Sequence, residues 1–203
     1  MNLKSTYNKI APDWAKSHAA YTWWVEGTDK FCSLLEPRAS VLDVGCGFGF
    51  KTDYIASKGF RASGIDFSES MIALAKKKYP KLDFAVFDIY DLDKYGKTFD
   101  AVFAQAVLLH IPKARVFEAL QKMKSRLNEG GFLYIAVKGM REGRAEEEMK
   151  KENDYGYEYE RFFSYFTMPE LEDYFRKLNM EVAWKSATIS GQANWLQIIG
   201  KKA

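Results

Sequence analysis

The stretch Val41-Leu42-Asp43-Val44-Gly45-Cys46-Gly47-Phe48-Gly49 constrains this chain most. An apolar run of strand character stops at a turn of alternate glycines, and an amphipathic segment follows. Glycine at such a turn lets the backbone take positive φ and approach a ligand closely. Strand, glycine turn and helix together form a nucleotide-binding unit. Asp43, two residues before the first glycine, narrows the ligand further. A carboxylate there repels a pyrophosphate and attracts a cation.

The alternation continues along the chain. Residues 41–45 read as a strand, 51–58 as a helix stopped by Gly59, and 62–66 as a second strand. Ser68 can cap the next helix, whose buried stripe is Met71, Leu74 and Ala75 and which Pro80 closes. Residues 82–87 and 99–105 read as strands. Val116, Leu120, Met123 and Leu127 stand at helical spacing, and Gly130-Gly131 ends that helix. Residues 132–137 form a continuous apolar run, as in a central strand buried on both faces. Repeated units of this kind specify a parallel sheet with helices on both sides. Thr167-Met168-Pro169-Glu170 is a capping box opening a helix with Leu171, Tyr174, Phe175 and Leu178 on one face. Residues 181–189 and 194–200, with a turn at Gly191-Gln192, read as an antiparallel pair. The run from Glu146 to Lys151 reads as a solvated surface helix.

Composition excludes several classes. The 203 residues are 47% hydrophobic and 28% charged, with a formal net charge of +3. That charge is too small to suggest nucleic acid as a partner. Two His and two Cys in no ligand spacing predict no metal site. Neither a secretory leader nor an apolar run of bilayer length is visible, so the expectation is a cytoplasmic protein without a membrane partner. Nothing in the sequence fixes an oligomeric state.

The loop resembles the first motif of class I S-adenosylmethionine (SAM)-dependent methyltransferases, (Asp/Glu)-x-Gly-x-Gly-x-Gly. Asp43, Gly45, Gly47 and Gly49 match each fixed position. The resemblance covers residues 37–138 with the family's motifs and the remainder more loosely, and it is closest to small-molecule enzymes of the type 11/25 kind. It implies a Rossmann-like, seven-stranded, mostly parallel α/β sheet with a C-terminal antiparallel hairpin. Residues 1–203 would form one domain, with 1–35 as cover helices and 139–166 as a lid insertion. Tyr7, Trp14, Tyr21, Trp23 and Trp24 make the first of these aromatic. The reaction would be an SN2 methyl transfer to a small-molecule acceptor, leaving S-adenosylhomocysteine (SAH).

The same resemblance suggests cofactor contacts. Gly45, Cys46 and Gly47 would form the loop, with Asp43 supporting it or the methionine ammonium. Asp66, about twenty residues after the loop, stands where an acidic side chain accepts hydrogen bonds from ribose hydroxyls. Phe67 and Met71 would flank it. Asp88-Ile89 would take the adenine amino group and pack the ring. Gln105 would face the cofactor, and Tyr7 would approach its carboxylate. Around the acceptor stand Trp14, His110, Arg161 and Tyr165. Arg161 could pair with an acceptor carboxylate. His110 is either a general base or a structural residue anchoring a loop before Pro112.

Two other readings compete. A nicotinamide dehydrogenase needs Gly-x-Gly-x-x-Gly, whereas the sixth position here is Phe50. A non-catalytic SAM-binding module would keep the loop and lose turnover.

Overall fold

A computed structural model of the chain describes residues 2–18, 22–143 and 145–203; Tyr21 lies outside them. The helices α1 (Leu3–His18) and α2 (Val25–Cys32) precede β1 (Ser40–Val44), α3 (Phe50–Ser57), β2 (Arg61–Asp66), α4 (Glu69–Lys78) and β3 (Asp83–Val86). A short 3-10 turn leads to β4 (Phe99–Gln105), then α5 (Lys113–Lys124) and β5 (Leu127–Lys138). The chain ends with β6 (Glu147–Glu152), β7 (Tyr159–Ser164), α6 (Met168–Lys177), β8 (Met180–Ser190) and β9 (Ala193–Lys202).

Seven strands form one sheet in the order β3-β2-β1-β4-β5-β9-β8. The pairs β1–β2, β2–β3, β1–β4 and β4–β5 are parallel. Strand β9 runs antiparallel to both β5 and β8. The strand order therefore reverses direction at β1 and β4, where a crevice opens beyond the strand ends.

Strand side chains alternate between two packed faces, as the pleat requires. Leu42, Val44, Val102, Ala104, Leu133 and Ile135 pack with Val116, Leu120 and Met123 of α5 and with Leu171 and Phe175 of α6. Val41, Ala101, Phe103, Tyr134 and Ala136 pack on the other face with Phe31 of α2 and Ile55 of α3.

Two local expectations are corrected. The helical pattern up to Leu127 stops at Lys124, because Leu127 already pairs with Phe99 as the start of β5. Gly130-Gly131 lie inside that strand, where the register shifts and Gly130 takes φ 72°. The acidic-basic run starting at Glu146 is strand β6, antiparallel to β7 in a separate two-stranded sheet. Its helix-forming Glu and Lys residues are overridden by cross-strand pairing.

Helix α1 lies across this hairpin. Thr6 Oγ1 and Lys9 Nζ donate to the carbonyls of Glu160 and Glu158, each at 3.1 Å, and Tyr157 OH donates to Asp13 Oδ2 at 2.9 Å. At α4, Asn8 Oδ1 accepts from Ser68 Oγ at 2.6 Å and from Ser70 N at 3.1 Å. The N-terminal helix and the β6–β7 hairpin thus roof the crevice together. No helix among the described residues is long and apolar enough to cross a membrane, and none of their acidic, His and Cys side chains cluster as a metal site.

Candidate active site

The crevice is a cavity of about 1010 Å³. That is the upper end of the roughly 300–1,000 Å³ typical of small-molecule sites, so it has room for a donor and an acceptor together. The glycine loop forms its floor. Gly45 N and Cys46 N donate to Ile65 O at 2.8 and 3.0 Å, tying the loop to β2. Gly45, Gly47 and Gly49 have φ of 71, 54 and 81°. A Cβ at Gly45 would stand 2.4 Å from Val107 Cγ2, whereas one at Gly47 meets no protein atom within 4 Å. Gly47 is the point where the backbone faces ligand space.

Asp66 closes β2. Its Oδ2 accepts from Gly47 N and its Oδ1 from Ser68 N, both at 2.9 Å. Ser68 Oγ, in turn, accepts from Met71 N at 3.2 Å and caps α4. The cap is therefore Ser68, which leaves the Asp66 oxygens with lone pairs toward the cavity. Burial raises the Asp66 carboxyl to about 6, against the lowering by the Ser68, Gly47 and Phe67 amides.

Asp43 sits behind the loop, fully within the sheet. Thr52 Oγ1 of α3 donates to its Oδ2 at 2.6 Å. It braces strand, loop and helix rather than forming a cavity wall. Burial pushes it up to about 7, while Thr52 and Lys51 act to lower it. Lys51, which the sequence reading passed over, lines the cavity, and burial lowers it to about 8 against the pull of Asp43.

Phe67, Met71, Asp88 and Ile89 line the same side. Asp88 Oδ1 accepts from Tyr90 N at 2.9 Å as the cap of the following turn, and the carboxylate is exposed. Gln105 ends β4 at 4% exposure, and both its amide oxygen and its amide nitrogen lack a hydrogen-bond partner. A buried amide in that state calls for a polar ligand group, because leaving it unsatisfied costs roughly 1–3 kcal/mol.

The roof residues are interlocked. His110 Nδ1 lies 2.7 Å from Phe162 O, and its Nε2 lies 2.7 Å from Tyr7 OH. A carbonyl only accepts, so the ring hydrogen is on Nδ1 and Nε2 accepts from Tyr7. Burial lowers His110 to about 3, so the ring is neutral near pH 7. Trp14 packs edge-on to Tyr7 and stacks on His18 at 3.4 Å.

Arg161 is placed differently from expectation. It forms a two-pronged pair with Glu152, Nε to Oε2 at 2.6 Å and Nη2 to Oε1 at 2.7 Å, and is buried beneath the roof. Its charge is met within the protein, which removes the reason to assign it an acceptor carboxylate. Tyr165 OH likewise donates to Glu148 Oε1 at 2.6 Å. Lys138, at the end of β5, is a further cavity cation that the sequence reading missed. The only signal was its position directly after an apolar strand.

Residues 41–131 match the family model described as a methyltransferase domain. The match spans a little under half of the chain, which is similar to that domain over those residues. The family's methyl donor is SAM, and the residues present fit it. The donor's ammonium and carboxylate would supply an acceptor for the orphaned Gln105 NH2 and a donor for its carbonyl oxygen, and Asp66 offers acceptors suited to ribose hydroxyls.

Among curated relatives, the putative methyltransferase YqeM of Bacillus subtilis (strain 168) is 29% identical over 126 residues, 60% of this chain and 50% of that protein. The ubiquinone biosynthesis O-methyltransferase of Coxiella burnetii (strain RSA 493 / Nine Mile phase I) is 30% identical over 101 residues, 48% of this chain and 42% of that enzyme. The chain spans half or less of the length of these curated relatives. In three dimensions it is similar to the Burkholderia thailandensis 1,6-didemethyltoxoflavin-N1-methyltransferase, crystallised with 1,6-didemethyltoxoflavin and SAH. The TM-score is 0.78 at 19% identity, covering 99% of this chain and 87% of that one. The likeness shows a shared fold.

Proposed function

We propose that this protein transfers a methyl group from SAM to a small-molecule acceptor. The observation that carries the reading is the convergence of Gly47, Asp66 and the unpartnered Gln105 amide on one roofed crevice at the β1–β4 switch point. Asp66 accepts the ribose hydroxyls. Asp88 and Ile89 hold the adenine, with Phe67 and Met71 beside them. Gln105 and Lys51 meet the amino-acid end. SAM, when bound, supplies a sulfonium methyl that passes in line to the acceptor's lone pair, leaving SAH.

The chain's own contribution is alignment and exclusion of water. The roof of α1 and the β6–β7 hairpin limits the acceptor to a small molecule and disfavours nucleic acid. In this reading His110 anchors Tyr7 and the hairpin, since both ring nitrogens are engaged and its basicity is low. The test is calorimetric binding of SAM followed by a search for SAH formation with an acceptor panel. Binding with turnover supports the enzyme, and binding without turnover across the panel points to the non-catalytic module. NAD binding in place of SAM would overturn both. A turnover collapse in His110→Ala with SAM affinity retained and the roof still ordered would restore the base role.

The site's carboxyls give the binding a pH signature. Near pH 6 the ligand-free protein holds protons on Asp43 and Asp66, whose carboxyls lie at about 7 and about 6. A bound cation and ribose hydroxyls favour the ionised forms, so both values fall and protons leave. SAM affinity should therefore rise from pH 5.5 to 7, by up to about tenfold per pH unit for each coupled proton. Calorimetry at pH 6 in buffers of different ionisation heat should show net proton release; zero release would sink this electrostatic account. Without ligand the sign for stability is opposite. Folded values above the ordinary 3.8 mean the folded state binds extra protons, so these two groups make stability fall as pH rises from about 4 to about 7.

A further inference from the structure

Beyond the donor site, one wall of the crevice carries a cation set among aromatic rings. Lys138 and Trp195 are register partners across β5 and β9. Trp195 stacks on Trp23 with centroids 3.9 Å apart and planes at 13°. Lys138 Nζ lies 4.1 Å from the centroid of Phe163, which stacks with Tyr165 at 6.3 Å. All five residues line the cavity.

This wall is separate from the donor's. Gln105 pairs with Ala136 on β5. Lys138 therefore stands two residues, roughly 7 Å, further out along the neighbouring strand, away from the glycine loop beside β2.

The charges around Lys138 are unevenly matched. Arg161 is taken by Glu152. Lys150 Nζ also approaches Glu152, at 3.6 Å. Glu148 holds the Tyr165 hydroxyl. Among the described residues no carboxylate lies within 4.0 Å of Lys138 Nζ. Arg161, Lys150 and Arg141 all repel it, with Glu152 alone opposing them. An ammonium half-buried against rings, facing a cavity and surrounded by like charge, is costly unless a ligand brings the counter-charge.

We propose that the acceptor is a planar aromatic molecule bearing an anionic substituent, its ring held by Trp23, Trp195 and Phe163 and its anion by Lys138. This rests on the methyltransferase reading and names its substrate class. Aromatic faces supply ring packing, and the ammonium supplies a charge-assisted hydrogen bond.

The test uses the full chain saturated with SAH. Calorimetry compares 2-naphthoate with 2-naphthamide, and naphthalene-2-sulfonate with its sulfonamide. The anion of at least one pair should bind about ten- to a hundredfold tighter, the range expected of a hydrogen bond to a charged group. Lys138→Met should erase that preference while SAH affinity stays, and Lys138→Arg should keep it. If neither anion binds more tightly than its neutral partner, or if Lys138→Met keeps the preference, the inference is wrong. SAH binding measured first separates the two levels. Its failure would overturn the methyltransferase reading, whereas intact SAH binding without an anion preference overturns only the acceptor class.

Discussion

Asp66→Ala weakens SAH binding by about ten- to a hundredfold, the equivalent of roughly 1.5–3 kcal/mol for hydrogen bonds to a charged acceptor. The carboxylate has two tasks. Its oxygens hold Gly47 N and Ser68 N at 2.9 Å, fixing the loop against the start of α4. Their remaining lone pairs are the acceptors proposed for the ribose hydroxyls. Alanine removes both, so affinity falls through lost contacts and through a loosened loop. Asp66→Asn should do nearly as badly. Its amide NH2 must face one of two backbone N–H donors, and donor against donor is repulsive. Calorimetry with SAH, alongside a thermal melt of each variant, checks this. Affinity within twofold of the parent would mean that Asp66 only builds the turn.

The second expected result concerns the sheet beneath the site. Phe103→Ala should cost about 3–5 kcal/mol of folding stability, as for other large aromatic-to-alanine changes in cores. Phe103 is fully buried on β4. It stacks on Tyr134 of β5 at 4.5 Å with planes at 3°, and lies 5.5 Å from Phe31 of α2. Tyr134 OH donates to Gln197 Oε1 at 2.6 Å, and Gln197 Nε2 donates to Thr188 Oγ1 at 3.1 Å, linking β5 to β9 and β8. A cavity at position 103 therefore undermines the platform at β4–β5 and the docking of α2 together. Urea unfolding with an unchanged m-value should report the loss. A cost below about 1.5 kcal/mol would show that Phe31 and Tyr134 close over the gap.

The parallel core was legible because its signals are local. Val41-Leu42-Asp43-Val44 alternates between two buried faces, and three glycines at positive φ force the turn where Phe50 starts a helix. Ser68 and the Thr167–Glu170 box cap the helices they announce. Two segments misled for opposite reasons. Leu127 continues a helical spacing but is captured by Phe99 across the sheet. Glu147–Glu152 is rich in residues that favour helices, yet its backbone is claimed by β7, and its side chains find partners on that strand and on Tyr165.

The sequence by itself determined the α/β sheet, the glycine loop and the acidic residues at the ends of β1, β2 and β3, because each follows from contacts within a strand–turn–helix unit. Only the tertiary structure decided which charges remain free to meet a ligand. Arg161 is neutralised by Glu152 and His110 is held between Tyr7 and Phe162, whereas Lys138 is left facing the cavity. Tyr7 and His110 stand 103 residues apart in the chain yet meet in space, and the hairpin that holds Arg161 and Phe162 is set by cross-strand pairing. Charge compensation acts through space at a few ångströms, and the chain order does not carry that distance.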